Sequence, residues 1–243
     1  MICTMPINRG LITTSPQRAI ASASLLFLAI VLLAPCARAG GGAHVVDDAT
    51  VEVPGTCHLE SWVTRNDPRR GLVNLSPACT REAWPSLEIG ASLQHAWDGN
   101  RSTSVGPALK LNLRPVERGM GLALAVAGAW NLDTGRFETA SIIVPVTMPV
   151  NELLRINING GWIYSHADAH RHAAFFGGQV EAQLASDVSA MAEIFGRDRG
   201  RAAGQIGLRW NPSAGPVDID LLGGRRIDGT SPSAVTLGFT IRH

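Results

Sequence analysis

From residue 57 to the last residue, apolar side chains recur at every second position, in run after run. Side chains that alternate between two faces belong to β-strands, so a chain patterned this way folds as sheet. In "SLEIGASLQHAW" (86–97), Leu87, Ile89, Ala91, Leu93 and Trp97 share one face, with Glu88, Ser92 and Gln94 on the other. In "VGPALKLNLR" (105–114), Val105, Leu109, Leu111 and Leu113 oppose Lys110, Asn112 and Arg114. In "LLRINING" (153–160), Leu154, Ile156 and Ile158 oppose Arg155, Asn157 and Asn159. "GGQVEAQLA" (177–185) sets Val180, Ala182 and Leu184 against Gln179, Glu181 and Gln183. The segment 186–196, "SDVSAMAEIFG", suits a helix by propensity, but it alternates and is flanked by strands, so it reads as a strand.

Turn signals such as "WDGNRSTS", "LDTGR", "GRDRGR" and "NPSAGP" separate the runs. Each joins consecutive strands directly, which makes antiparallel hairpins. Twelve strands are expected, near 57–65, 71–79, 86–97, 103–115, 119–131, 137–148, 153–166, 172–185, 188–197, 202–211, 216–226 and 234–242. The second is the weakest, because Pro77 suits a strand only near an end or a bulge.

The polar face carries Glu88, Lys110, Arg114, Arg155, Glu181, Arg209, Asp218 and Asp220, while the other face is nearly free of charge. Most of the strands reach ten residues or more. That length crosses a bilayer with tilt, which takes about 9–11 residues, whereas soluble strands are usually nearer 5–6. Lipid tolerates no open sheet edge, so the sheet must close. Trp84, Trp97, Trp130, Trp162, Tyr164 and Trp210 fall near strand ends, as headgroup-level girdles do. The expected fold is all-β: a closed, antiparallel, up-and-down transmembrane β-barrel of about twelve strands over 57–243. With both termini in the periplasm, the odd-numbered hairpins point outward, and the other set reads as mostly shorter.

Residues 1–39 read as a secretory signal: Arg18, then the apolar "AIASASLLFLAIVLLAP", then "ARA" before Gly40. A membrane anchor and, through "LLAPC", a lipidated Cys36 are the alternatives. Residues 40–56 read as an extended lead-in. After cleavage at Gly40 only Cys57 and Cys79 remain; a cysteine pair in an exported chain reads as one disulfide. With 21 basic and 20 acidic side chains, nucleic acid is not expected as a partner.

The signal, the alternating runs and the ending "VTLGFTIRH" resemble Gram-negative outer-membrane β-barrel proteins. The resemblance implies that Val235, Leu237, Phe239, Ile241 and His243 form the signal read by the barrel-assembly machinery, with His243 in place of the usual Phe. It also implies that the barrel sits in the outer membrane with lipid around it.

The expected lumen lining is Glu88, Lys110, Asn112, Arg114, Arg155, Asn157, Gln179, Glu181, Gln183, Arg209, Asp218 and Asp220. Two readings follow. One is a polar pore that passes small polar solutes and selects them by charge; the other is a plugged lumen whose ion pairs satisfy one another, leaving a structural or surface-interaction barrel. The row Gly121, Ala123, Ala125, Ala127 and Ala129 leaves room inside, which favours a narrow channel. His166, Asp168, His170 and His172 could hold a metal, but they lie in a hairpin loop without rigid spacing, and a solvated loop is the preferred reading. A lipid hydrolase would need Ser and His together. Ser92 and His95 lie on opposite strand faces and Ser165 and His166 diverge, so no catalytic residue, metal or cofactor is expected.

Overall fold

The structure is a computed structural model describing residues 43–227 and 233–243. The signal read over 1–39, the first residues of the lead-in and the tip of the last hairpin lie outside the described residues. Twelve strands follow: β1 (Cys57–Asp67), β2 (Arg70–Thr80), β3 (Leu87–Asp98), β4 (Asn100–Arg114), β5 (Gly121–Asn131), β6 (Arg136–Pro149), β7 (Leu154–Ser165), β8 (His172–Ala185), β9 (Val188–Arg197), β10 (Ala203–Trp210), β11 (Val217–Arg226) and β12 (Ala234–Arg242). Every strand pairs antiparallel with its sequence neighbours, and β12 closes on β1 from His58↔Arg242 to Arg65↔Val235. The result is a closed up-and-down barrel. β8, β9 and β12 begin and end where the alternation places them.

The barrel is turned apolar side out. Leu109, Ile158, Val180 and Leu221 are 44%, 46%, 45% and 54% exposed, while Lys110, Asn157, Gln179 and Asp220 beside them in sequence are buried. An exposed belt of this kind suits hydrocarbon, not water. Pro77 is accommodated because β2–β3 pairing lapses beside it: Leu75↔Leu93 is followed by Ala78↔Gly90 in the same register.

Aromatic side chains mark two rims. Odd strands end, and even strands begin, at the rim where Trp130 packs edge-on against Phe137 and Phe137 stacks on Tyr164. Exposed Trp84 and Trp210 sit at the other rim, which also holds the start of β1 and the end of β12. There the disulfide Cys57–Cys79 joins residues directly opposite in the β1–β2 ladder. Cys57 and His243 exchange backbone hydrogen bonds at 3.0 and 2.9 Å, so the C-terminus is tied into the ring.

Loop length does not separate the two rims as expected. β3 ends at Asp98 and β4 begins at Asn100, so Gly99 alone makes that turn, at φ 76°. At the terminal rim, residues 115–120 and 211–216 instead carry short 3-10 turns. In the β1–β2, β3–β4 and β5–β6 hairpins the ladders run almost to the tips, at Asp67↔Arg70, Asp98↔Asn100 and Asn131↔Arg136, so residues that read as loop are paired as strand.

Candidate functional site: the lumen and the segment inside it

Residues 43–56 of the lead-in form no strand of the wall. Residues 43–52 bond to side chains from strands on all sides of the closed ring, which places them inside it. The Val45 and Val46 amides donate to the Glu193 carboxylate on β9, at 3.0 and 3.1 Å. Asp47 and Asn159 on β7 bond reciprocally: the Asp47 amide donates to Asn159 Oδ1 at 2.8 Å, and Asn159 Nδ2 donates to the Asp47 carbonyl at 2.7 Å. The Ala49 amide donates to Thr147 Oγ1 on β6, and Asn112 Nδ2 on β4 donates to the Ala49 carbonyl. The Glu52 amide donates to Glu88 on β3. An extended segment has no internal partners for its backbone groups, and buried ones need partners. The inward amides, hydroxyls and carboxylates of the wall supply them.

Charge holds the same segment. Lys110 Nζ donates to Asp47 Oδ1 at 2.9 Å and Asp48 Oδ1 at 3.4 Å. Arg155 Nη2 stands 3.7 Å from Asp48 Oδ2 and 2.6 Å from Glu181 Oε2. Arg242 Nε donates to Glu52 Oε1 at 2.6 Å, and its Nη1 donates to Asp218 Oδ2 at 2.7 Å. Asp48 is 1% exposed and also accepts from the amide and hydroxyl of Thr50.

Small residues in the wall make room for this strap. A Cβ on Gly177 would lie 2.8 Å from Val46 Cγ2; one on Gly121 would lie 3.2 Å from the Ala49 Cβ, and one on Gly238 3.5 Å from that of Ala43. The row of Gly and Ala on β5 is therefore not open space throughout. Its start is filled by Ala49, and Ala123 has no exposure at all.

The residues expected in the lumen fall into three groups. Glu88, Lys110, Asn112 and Arg155 engage the strap directly, with Glu181 holding Arg155 from behind. Asn157 accepts a hydrogen bond from the Thr147 hydroxyl and donates to Gln179, which donates in turn to Glu193 and meets His44 Nδ1 of the strap at 3.3 Å; Arg209 and Asp220 form a two-pronged pair at 2.7 and 2.9 Å; Asp218 takes Arg242. Arg114 and Gln183 stand apart, at the terminal rim. Exposed Arg114 donates to the Arg118 carbonyl, and Gln183 binds the carbonyls of Ala185 and Val188 in the β8–β9 turn. Val235, Leu237, Phe239 and Ile241 all face outward and are exposed.

In the His loop, Asp168 is bound by Arg197 and His172 stacks on Trp162 with ring centroids 5.6 Å apart. No group of three metal-ligating side chains gathers among the described residues. His95 Nδ1 meets Thr103 Oγ1 at 2.9 Å.

Sequence reading missed the strap. Its signal was the acid pair Asp47–Asp48 in a stretch with no clear period, set against inward cations on the strands. Between the strap and strands β1–β4, toward the terminal rim, a cavity of about 260 Å³ remains; His44, Asp47, His58, Glu60, Glu88 and Lys110 are among its walls.

A family model described as "Uncharacterised conserved protein UCP029691" matches residues 28–243. The chain belongs to that family. No curated protein matches it. Among solved structures it resembles a KdgM porin at TM-score 0.62 and 7% identity, over 76% of this chain and 98% of that one. A KdgM porin in complex with disordered oligogalacturonate gives 0.58 at 6% identity, with the same coverage of 76% and 98%. A NanC porin gives 0.54 at 8%, again over 76% of this chain and 98% of that one. At such identities the likeness is one of fold, and the fold is that of the outer-membrane porin barrel.

Proposed function

We propose that this protein is a passive outer-membrane channel for small polar solutes, narrowed from within by its own N-terminal segment. The observation that carries the reading is the cavity of about 260 Å³ beside the strap, walled in part by Asp47, Glu60, Glu88 and Lys110, in a barrel of porin fold. The bound oligogalacturonate of the KdgM structure is in keeping with polar cargo for this architecture. In this reading the inward residues of the wall, Arg155, Asn157, Gln179, Glu181, Arg209, Asp218 and Asp220 among them, form a fixed polar lining. The terminal rim faces the periplasm, and Val235, Leu237, Phe239, Ile241 and His243 serve as the signal to the barrel-assembly machinery. The mature protein, reconstituted in planar bilayers, is expected to give small, discrete conductance steps.

A second reading is favoured by one observation. The strap bonds its backbone to five strands of the wall through Glu88, Asn112, Thr147, Asn159 and Glu193. A segment so held could close the lumen permanently and leave a structural barrel. Absence of conductance steps in well-folded, inserted protein overturns the channel and leaves this second reading standing.

A further inference from the structure

The cavity beside the strap is unbalanced in charge. Its walls carry three carboxylates, Asp47, Glu60 and Glu88, against one ammonium, Lys110. That ammonium is already bound to Asp47 and Asp48. Two imidazoles complete the polar wall, His44 and His58, with side chains 5% and 7% exposed. Both rings also face carboxylates behind the wall: His44 Nε2 lies 3.9 Å from Asp220 Oδ1, and His58 Nδ1 3.7 Å from Glu52 Oε1.

We propose that this cavity is a selecting site for small cationic solutes, through Glu60 and Glu88. The inference rests on the channel reading and names its solute class. Carboxylates grouped in a narrow pore draw cations and repel anions, because the confined polar space screens them less than bulk water does. The rest of the lumen offers anions little. Arg155, Arg209 and Arg242 are each held by a carboxylate at 2.6 or 2.7 Å, so an anion must displace a bound partner to be received.

The test is the reversal potential of the mature chain in planar bilayers under a KCl gradient. Potassium is expected to permeate several-fold better than chloride. In the double variant Glu60→Gln, Glu88→Gln, which keeps the shapes and the hydrogen-bond acceptors, that ratio is expected to fall toward one. Wild-type current that is unselective or chloride-selective overturns the inference while leaving a channel. A ratio unchanged in the double variant overturns the assignment to this cavity. No current from the wild type overturns the channel reading itself, and this inference with it. The wild-type sign is decisive whether or not the variant folds.

Discussion

Asp220 has no exposed surface, and it sits directly across from Arg209 in the β10–β11 ladder. The alternation places both inside, and their register makes the two-pronged pair. Removing one partner of a buried pair leaves a desolvated charge and typically costs about 3–5 kcal/mol, whereas replacing both by apolar groups costs far less. Asp220→Asn is therefore expected to destabilise the barrel by about that amount, and Arg209→Met with Asp220→Leu by clearly less than the single change. Urea unfolding from lipid vesicles measures both. Equal losses in the single and the double variant would show that the pair is not isolated from its neighbours. At this scale the sequence was legible: it put Arg209 and Asp220 on the polar face. It was not legible which inward cation meets which inward acid, because that depends on register and on what fills the middle.

The strap is the element that governs the lumen, and two changes test its placement. In the double variant Ala49→Cys, Gly121→Cys the two Cβ positions lie 3.2 Å apart as built, slightly under the 3.5–4.5 Å usual for a disulfide. A crosslink is expected to form on oxidation, detected as a mass loss of about two hydrogens and a mobility shift. Failure to crosslink in the folded, inserted barrel would place residues 43–52 elsewhere. The second change is Asp48→Ala, which removes the acid facing Lys110 and Arg155 and the acceptor of Thr50. It is expected to loosen the strap and raise single-channel conductance several-fold, and the oxidised crosslink at 49 and 121 should suppress that rise.

For the whole molecule, two features hold the cylinder together: a lipid-facing belt and a pinned terminal rim. An Arg on the lipid face near mid-height costs about 2–4 kcal/mol in a transmembrane barrel. Ile158→Arg, at 46% exposed and central in β7, is expected to show that loss by vesicle unfolding. A negligible effect would mean that this face does not meet hydrocarbon. The Cys57–Cys79 bond spans 22 residues, a loop whose constraint is typically worth about 2–4 kcal/mol. Replacing both by Ser is expected to lower stability within that range. The loss is measured by comparing unfolding of the variant with that of the oxidised wild type.

The amino-acid order by itself settled the strand count, most strand limits, the antiparallel hairpins, the pairing of the two cysteines and which side of each strand meets lipid. All of these follow from local period and punctuation, since side chains alternate along a strand whatever lies across from it. Closure of the ring decided the rest. It brought Glu193 to the amides of Val45 and Val46, nearly 150 residues away in sequence. It also turned an unpatterned lead-in into the occupant of the lumen, set Ala49 against the start of the row of small residues on β5, and gathered Asp47, Glu60 and Glu88 around one cavity. A period of two says which way a side chain points; only the closed cylinder determines what it meets there.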